Sequence, residues 1–274
     1  MALTKVLITV KTYPSLSGKY DELVCTAGFL EDGSWIRIYP VPFRKLDYQK
    51  RYKKWQWIEL DLIKNESDFR PESYRPADLD KEIRLLEKVD TKDNWEIRRE
   101  ITLRNVNTNL TDLIKSAKEN GTSLAVVKPK KVLDFIWEPC ERDWDKEKIE
   151  KIISNQAQGN LFEEEARTIF TVVNKLPYKF SYVFTTEDDV ERTLMIEDWE
   201  LGALYWNCLK ECKDDEEMAC HKVKDKFYNY MCFERDLYFF MGTTFKFHNV
   251  APNPFIIIGV FYPPENVPLQ LSLF

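Results

Sequence analysis

Residues 24–44 read VCTAGFLEDGSWIRIYPVPFR, and the fold depends on how that stretch is taken. Val24, Thr26 and Gly28 alternate with Cys25, Ala27 and Phe29, the two-residue period of a pleated strand with two different faces. Glu31, Asp32, Gly33 and Ser34 supply turn chemistry, and Gly33 can take the positive φ that a tight hairpin needs. Trp35 to Tyr39 form the return strand, and Pro40 and Pro42 end the pairing because they carry no amide donor. The expected hairpin presents Trp35, Arg37 and Tyr39 on one face and Ile36 and Ile38 on the other. An aromatic–cation–aromatic row is a surface on which bases stack and phosphates rest. It is equally a row that fills a barrel wall.

Working outward, Lys5–Val10 reads as a preceding strand and Trp55–Ile63 as a following one. The spacing predicts helices over Asp80–Val89 and Thr111–Asn120, the second capped by Thr111 and closed at Gly121. Trp95–Leu103 fits either state. Ser123–Val127 and Val132–Trp137 read as strands, and the polar segment 145–165 as a broken helix or an ordered insertion. Phe180, Tyr182 and Phe184 begin a second hairpin that returns through 193–196. Asp198 caps a helix running to about Cys212, Glu216–Met231 forms another, and Leu237–Met241 and Phe255–Tyr262 are strands, the last buried by composition. The expected class is α+β. An N-terminal β-barrel-like, OB-like part is followed by a mixed α/β part with a long buried strand near its end. The expected division is a basic β-rich domain at 1–131, an acidic α+β domain at 132–264 and a peptide at 265–274.

Composition limits the function. The 274 residues are 44% hydrophobic and 31% charged, as in a globular protein. No run approaches the ~18 apolar residues of a membrane span. The opening MALTKVLITVKTYP reads as a first strand, not a signal peptide. Six cysteines without a regular framework point to a reducing interior, so the cytoplasm is the expected location. A net charge of −6 argues against a simple phosphate-binding surface. The charge is uneven, however. Residues 1–131 hold 25 Lys+Arg against 20 Asp+Glu, and residues 132–274 hold 15 against 26. A polyanion contact, DNA or RNA, is therefore expected in the first half.

Its candidate residues are Arg37, Tyr39 and Arg44 on the hairpin, Arg51 and Lys53 in the basic run behind it, and Arg70 and Arg75 in the loop 68–76. Arginine forks match phosphate oxygens. In the loop they equally match Asp68 and Glu72. The chain has two histidines, His221 and His248. His248 lies in a Gly242–His248 segment that suits a small polar pocket, and with Asp198 and Glu200 it forms the candidate acid–base set. No nucleophile–base pair, phosphate loop or H-E-x-x-H pattern accompanies them. Glu59, Asp61, Asp68 and Glu72 would hold a divalent metal in a nuclease, but no lysine stands at the diagnostic spacing. Cys208, Cys212, Cys220, His221 and Cys232 match no standard zinc spacing and read as structural thiols. No cofactor is expected outside the nuclease alternative.

Two resemblances extend this reading. Gln270-Leu271-Ser272-Leu273-Phe274 resembles the bacterial sliding-clamp binding motif at all five positions, which implies the clamp as a partner and work on replicating or repaired DNA. The same residues would also suit a last edge strand. Val24-Cys25-Thr26-Ala27-Gly28, then Trp35-Ile36-Arg37 and Pro40, resemble the start of the dual OB-fold domain family, which is inferred to bind nucleic acid. Here Ile38 and Tyr39 stand between the arginine and the proline, where that family has them adjacent. The resemblance makes Trp35 a structural residue, and Arg37 and Arg44 the contacts. The whole chain also looks like hypothetical proteins found in mobile and phage-defence neighbourhoods of bacterial genomes. Together these imply a nucleic-acid-binding protein recruited to the sliding clamp, in DNA repair or phage defence. The alternatives are a DNA- or nucleotide-processing enzyme, a nuclease or a base-modifying one, and a module that binds protein through its acidic half.

Overall fold

The computed structural model describes residues 3–17, 21–41, 43, 46, 51–78, 83–147, 149–150, 154 and 173–265. Arg44, the peptide Gln270–Phe274 and most of the segment 145–165 lie outside the described residues. The molecule is α+β, with strands dominating.

The hairpin of residues 24–41 is the centre of the first sheet. β3 (Asp21–Phe29) and β4 (Trp35–Val41) pair antiparallel, with Phe29 opposite Trp35. Gly33 sits at φ 84° in the turn, and Asp32 Oδ1 accepts from the Ser34 amide and hydroxyl at 2.8 and 2.6 Å. Around it stand β1 (Thr4–Lys11), β2 (Ser15–Ser17), β5 (Gln56–Leu60), β6 (Leu62–Lys64), β7 (Ser73–Pro76) and β8 (Arg84–Lys88). The order is β6-β7-β4-β3-β1-β5-β8, with β2 on β3. This sheet curls around Val6, Ile8, Val24, Ile36, Ile38 and Ile58.

β1 carries a bulge between Ile8 and Val10. The extra residue reverses the facing of the rest of the strand. Val6 and Ile8 point into the curl, Val10 points out of it, and Lys11 points toward Phe43 and Trp199, 4.5 and 5.3 Å from their rings. Burial, then the neighbouring Lys54, pulls the Lys11 ammonium down to about 8.

Arg84–Lys88 is a strand where a helix was expected. Leu85 packs inside the curl while its neighbour Leu86 packs with Trp57 and Leu7 outside it. Adjacent apolar residues that serve opposite faces suit a strand on the β5 edge. α1 (Lys92–Thr102) comes next, with Asp93, Asn94 and Trp95 in the left-handed region before the right-handed turns begin.

The second sheet runs β15-β14-β10-β9, from β9 (Val106–Asn107), β10 (Leu124–Val127), β14 (Tyr238–Thr243) and β15 (Phe255–Phe261). Residues 106–127 therefore belong with the later chain, so the sheet division falls well before the expected boundary at 131. Both faces of this sheet are covered, which explains the near-continuous apolar runs YFFMGT and FIIIGVF. One face meets the curled sheet through Val10, Ala27, Phe29, Leu124, Val126, Phe240, Ile258 and Phe261. Each large side chain so buried contributes roughly 1.5–3 kcal/mol, more than a loose contact between independent domains involves.

The other face packs on α2 (Leu110–Asn120), on the three-stranded sheet β11 (Lys131–Pro139), β12 (Tyr178–Thr185) and β13 (Arg192–Met195), and on α3 (Trp199–Glu211) and α4 (Glu216–Lys224). α2 is capped by Asn109, not Thr111, and closed by Gly121 at φ 76°. After α4 the helix continues through a π-helical stretch, Asp225–Tyr230, to Phe233. All six cysteines are free, and Cys208 and Cys220 are buried in this core. Among the described residues no helix is long and apolar enough to cross a membrane.

Candidate functional site

The site is built from Arg37 outward. Its neighbours Ile36 and Ile38 enter the curl of the first sheet, so Arg37 and Trp35 turn to the opposite face. That face meets the second sheet. Trp35 lies 4.1 Å from Phe29 between ring centroids and meets Phe240 edge-on at 5.6 Å. Arg37, 2% exposed, donates from Nη1 to Ser123 Oγ at 2.8 Å and from Nη2 to the carbonyls of Ser123 and Thr243 at 3.2 and 3.4 Å.

Arg70 reaches the same Thr243 carbonyl at 2.6 Å, while Nε and Nη2 grip the two Asp68 oxygens at 2.8 and 2.6 Å. Ser73 Oγ donates to Asp68 at 2.7 Å, and Glu72 accepts from the Ser123 amide and hydroxyl at 3.0 and 2.8 Å. Two guanidiniums thus face two carboxylates, and hydrogen bonds satisfy the group, which makes its burial tolerable. Burial alone would raise the Asp68 carboxyl. The Arg70 fork and the Ser73 hydroxyl outweigh it and hold the group down to about 2.

Beside this network a cleft of about 740 Å³ opens between the two halves. Aromatic rings form much of its wall. Tyr13 is held by its hydroxyl, which donates to the Asn174 carbonyl at 2.7 Å and accepts from Trp206 Nε1 at 2.8 Å. Tyr178 donates to Glu216 at 2.8 Å, and Trp144 Nε1 donates to the Val173 carbonyl at 2.7 Å. Tyr39 and Phe245 line the cleft nearer solvent. Phe245 pairs with Phe69 at 5.5 Å, and these rings are 53% and 51% exposed.

Glu197 also lines the cleft. Just past β13, Ile196 is buried against the core of the second half, and Glu197 shares the cleft wall with Ile256 and Ile258. Its amide donates to the Ile257 carbonyl at 2.8 Å, which fixes the backbone there. Burial pushes its carboxyl up, and no other influence accompanies that shift. Thr244 Oγ1 is buried without a hydrogen-bond partner among the described residues.

The residues expected from sequence are not gathered in one place. Arg37 and Arg70 are buried and bonded to protein acceptors, so their guanidiniums are taken out of the set available to phosphate. The sequence pattern could not show that another sheet covers that face. Tyr39 lines the cleft. Arg51 donates to the Leu46 carbonyl at 2.9 Å, and Lys53 and Arg75 are exposed away from the cleft wall.

Asp198 caps α3 through the Glu200 amide, and Lys54 Nζ bonds both its oxygens at 3.0 and 2.8 Å and Glu200 at 3.2 Å. Lys54 stands above its ordinary value although burial opposes it, because both acids face it. His248 is fully buried, with Nε2 3.0 Å from the Ala117 carbonyl and Nδ1 2.7 Å from Thr243 Oγ1. A carbonyl only accepts, so Nε2 carries a proton and donates it to Ala117. The acid–base set therefore splits into a lysine-bound pair and a packed histidine. Sequence reasoning missed Glu197, Phe69 and Trp144. The Gly242–His248 segment, expected to form a small polar pocket, does contribute Thr243, Thr244 and Phe245 to the cleft wall.

Residues 2–104 match the protein-family model described as Domain of unknown function (DUF8758). Residues 106–274 match the one described as Domain of unknown function (DUF8757). The gap between the two falls between α1 and β9, where one sheet gives way to the other. No curated protein matches the chain. The second match covers more than half of its length, and the chain belongs to the DUF8757 family.

Proposed function

We propose that this protein binds single-stranded nucleic acid across the mouth of the cleft. The exposed pair Phe69 and Phe245 carries the reading. Two large rings 5.5 Å apart, both about half exposed, are a poor surface for water and a good platform for stacked bases. Phe247, two residues on, is a third exposed ring at 49%, with Lys246 5.3 Å from it. Lys179 and Lys246 are exposed and available to a backbone.

The first sheet supports the reading as an OB-like element, because β4-β3-β1-β5-β8 are antiparallel neighbours curled around an apolar interior. Each stacked base is worth ~1–3 kcal/mol. Phe69→Ala with Phe245→Ala is therefore expected to weaken anisotropy-measured binding of a labelled 12-nucleotide strand at least about tenfold. Affinity is expected to fall with added salt. No binding of DNA or RNA at low salt overturns the proposal.

We further propose recruitment to the bacterial sliding clamp through Gln270–Phe274, in DNA repair or phage defence. Removing these five residues is expected to abolish capture by purified clamp and to leave oligonucleotide binding intact. Undiminished capture would reject the clamp reading.

A further inference from the structure

We propose that the cleft receives one extruded guanine, with its donor-rich edge read by Glu197 and Thr244. This rests on the nucleic-acid reading above. A cleft of about 740 Å³ is of the size that encloses a mid-sized ligand. Tyr13, Tyr39, Trp144 and Tyr178 give it walls suited to a planar ring.

The charges on its floor decide what enters. Arg37 and Arg70 are bonded to Ser123, Thr243 and Asp68, so the interior offers no spare guanidinium to a phosphate. The backbone stays at the rim and an uncharged group goes inside. The hydrogen-bonding capacity left over is that of one carboxyl and one hydroxyl. The Glu197 carboxyl has no hydrogen-bond partner among the described residues, and Thr244 Oγ1 is buried and unpartnered. A ligand that satisfies the carboxylate must bring N–H donors, and the threonine hydroxyl can meet either a donor or an acceptor beside them. Guanine is the common base with two adjacent donors on one edge, the ring N1–H and the 2-amino group, which match the two oxygens of one carboxylate. Adenine and cytosine place a ring acceptor beside their amine, and uracil flanks its single N–H with carbonyls.

The test compares labelled oligothymidylate strands carrying one central guanine or one central hypoxanthine, which lacks only the 2-amino group. The guanine strand is expected to bind at least about tenfold more tightly, since an unmatched buried polar group costs ~1–3 kcal/mol. Glu197→Gln should bring the two strands within about threefold of each other while leaving the thermal midpoint in place, because the Glu197 side chain makes no hydrogen bond among the described residues and its backbone bond to Ile257 is kept. Equal binding of the two strands by the unsubstituted protein overturns the guanine site and leaves the rim reading standing. If no strand binds, the rim reading falls and calorimetry with free guanosine decides the cleft. Binding that Glu197→Gln removes supports the site, and no binding overturns it.

Discussion

Asp68 is shared by the Arg70 guanidinium, the Arg70 amide and the Ser73 hydroxyl, and it is 7% exposed. Asp68→Asn keeps its shape and removes its charge, which leaves the buried Arg70 without its counter-ion. Breaking such a pair costs roughly 3–5 kcal/mol, and urea unfolding should show a loss of that order. The same carboxyl predicts a pH dependence. Its folded value, about 2, lies below the ordinary 3.8. Its contribution is therefore complete above the ordinary value and is lost as pH falls through the folded one. Unfolding free energy should drop by roughly 1–2 kcal/mol between those limits in the unsubstituted protein. Asp68→Asn should not show that component. An identical acid slope in both proteins would reject the assignment.

α3 is placed by what its first turns touch. A Cβ on Gly202 would lie 2.2 and 2.4 Å from two ring carbons of Tyr13, so the helix and the Tyr13 loop approach as closely as a glycine allows. Gly202→Ala must push Tyr13 out of the cleft wall. Overpacking of this kind costs ~1–3 kcal/mol. If the clash is the cause, Tyr13→Ala added to Gly202→Ala should cost less than the sum of the two single changes. Strict additivity in thermal unfolding would show that the ring is not what the alanine meets.

α3 was also among the most legible elements, because Asp198 is a strong cap in front of an apolar-periodic run. The β3–β4 hairpin was legible for a similar reason, since its alternation and Gly33 are both local signals. Arg84–Lys88 was misread because its two leucines serve cores on opposite faces, and only the tertiary arrangement reveals that. The cleft was legible in part, at Arg37, Tyr39 and Arg70 and in the Gly242–His248 segment, all of which contribute to its wall. Glu197 and Phe69 acquire their roles from burial and exposure set by residues far away in sequence, and no local pattern marks them.

The two halves share one apolar layer and one buried ionic network, so the whole molecule should unfold as a unit. Heating is expected to give a single transition in which tryptophan fluorescence and far-UV circular dichroism coincide. Separate transitions would mean that the shared layer does not couple the halves. A fragment of residues 106–274 would bare Phe240, Ile258 and Phe261, and it should bind a hydrophobic dye strongly where the full chain does not. The Arg37–Thr243 bond has a further consequence during synthesis. Its partners are 206 residues apart. At roughly 5–20 residues per second, a ribosome needs on the order of 10–40 s to travel between them. During that interval the nascent hairpin presents Trp35, Phe29 and an uncovered arginine to the crowded surroundings of the exit tunnel. Translation speed between β4 and β14, and not the strength of the finished fold, then sets how long that face waits for chaperones or the wrong neighbour.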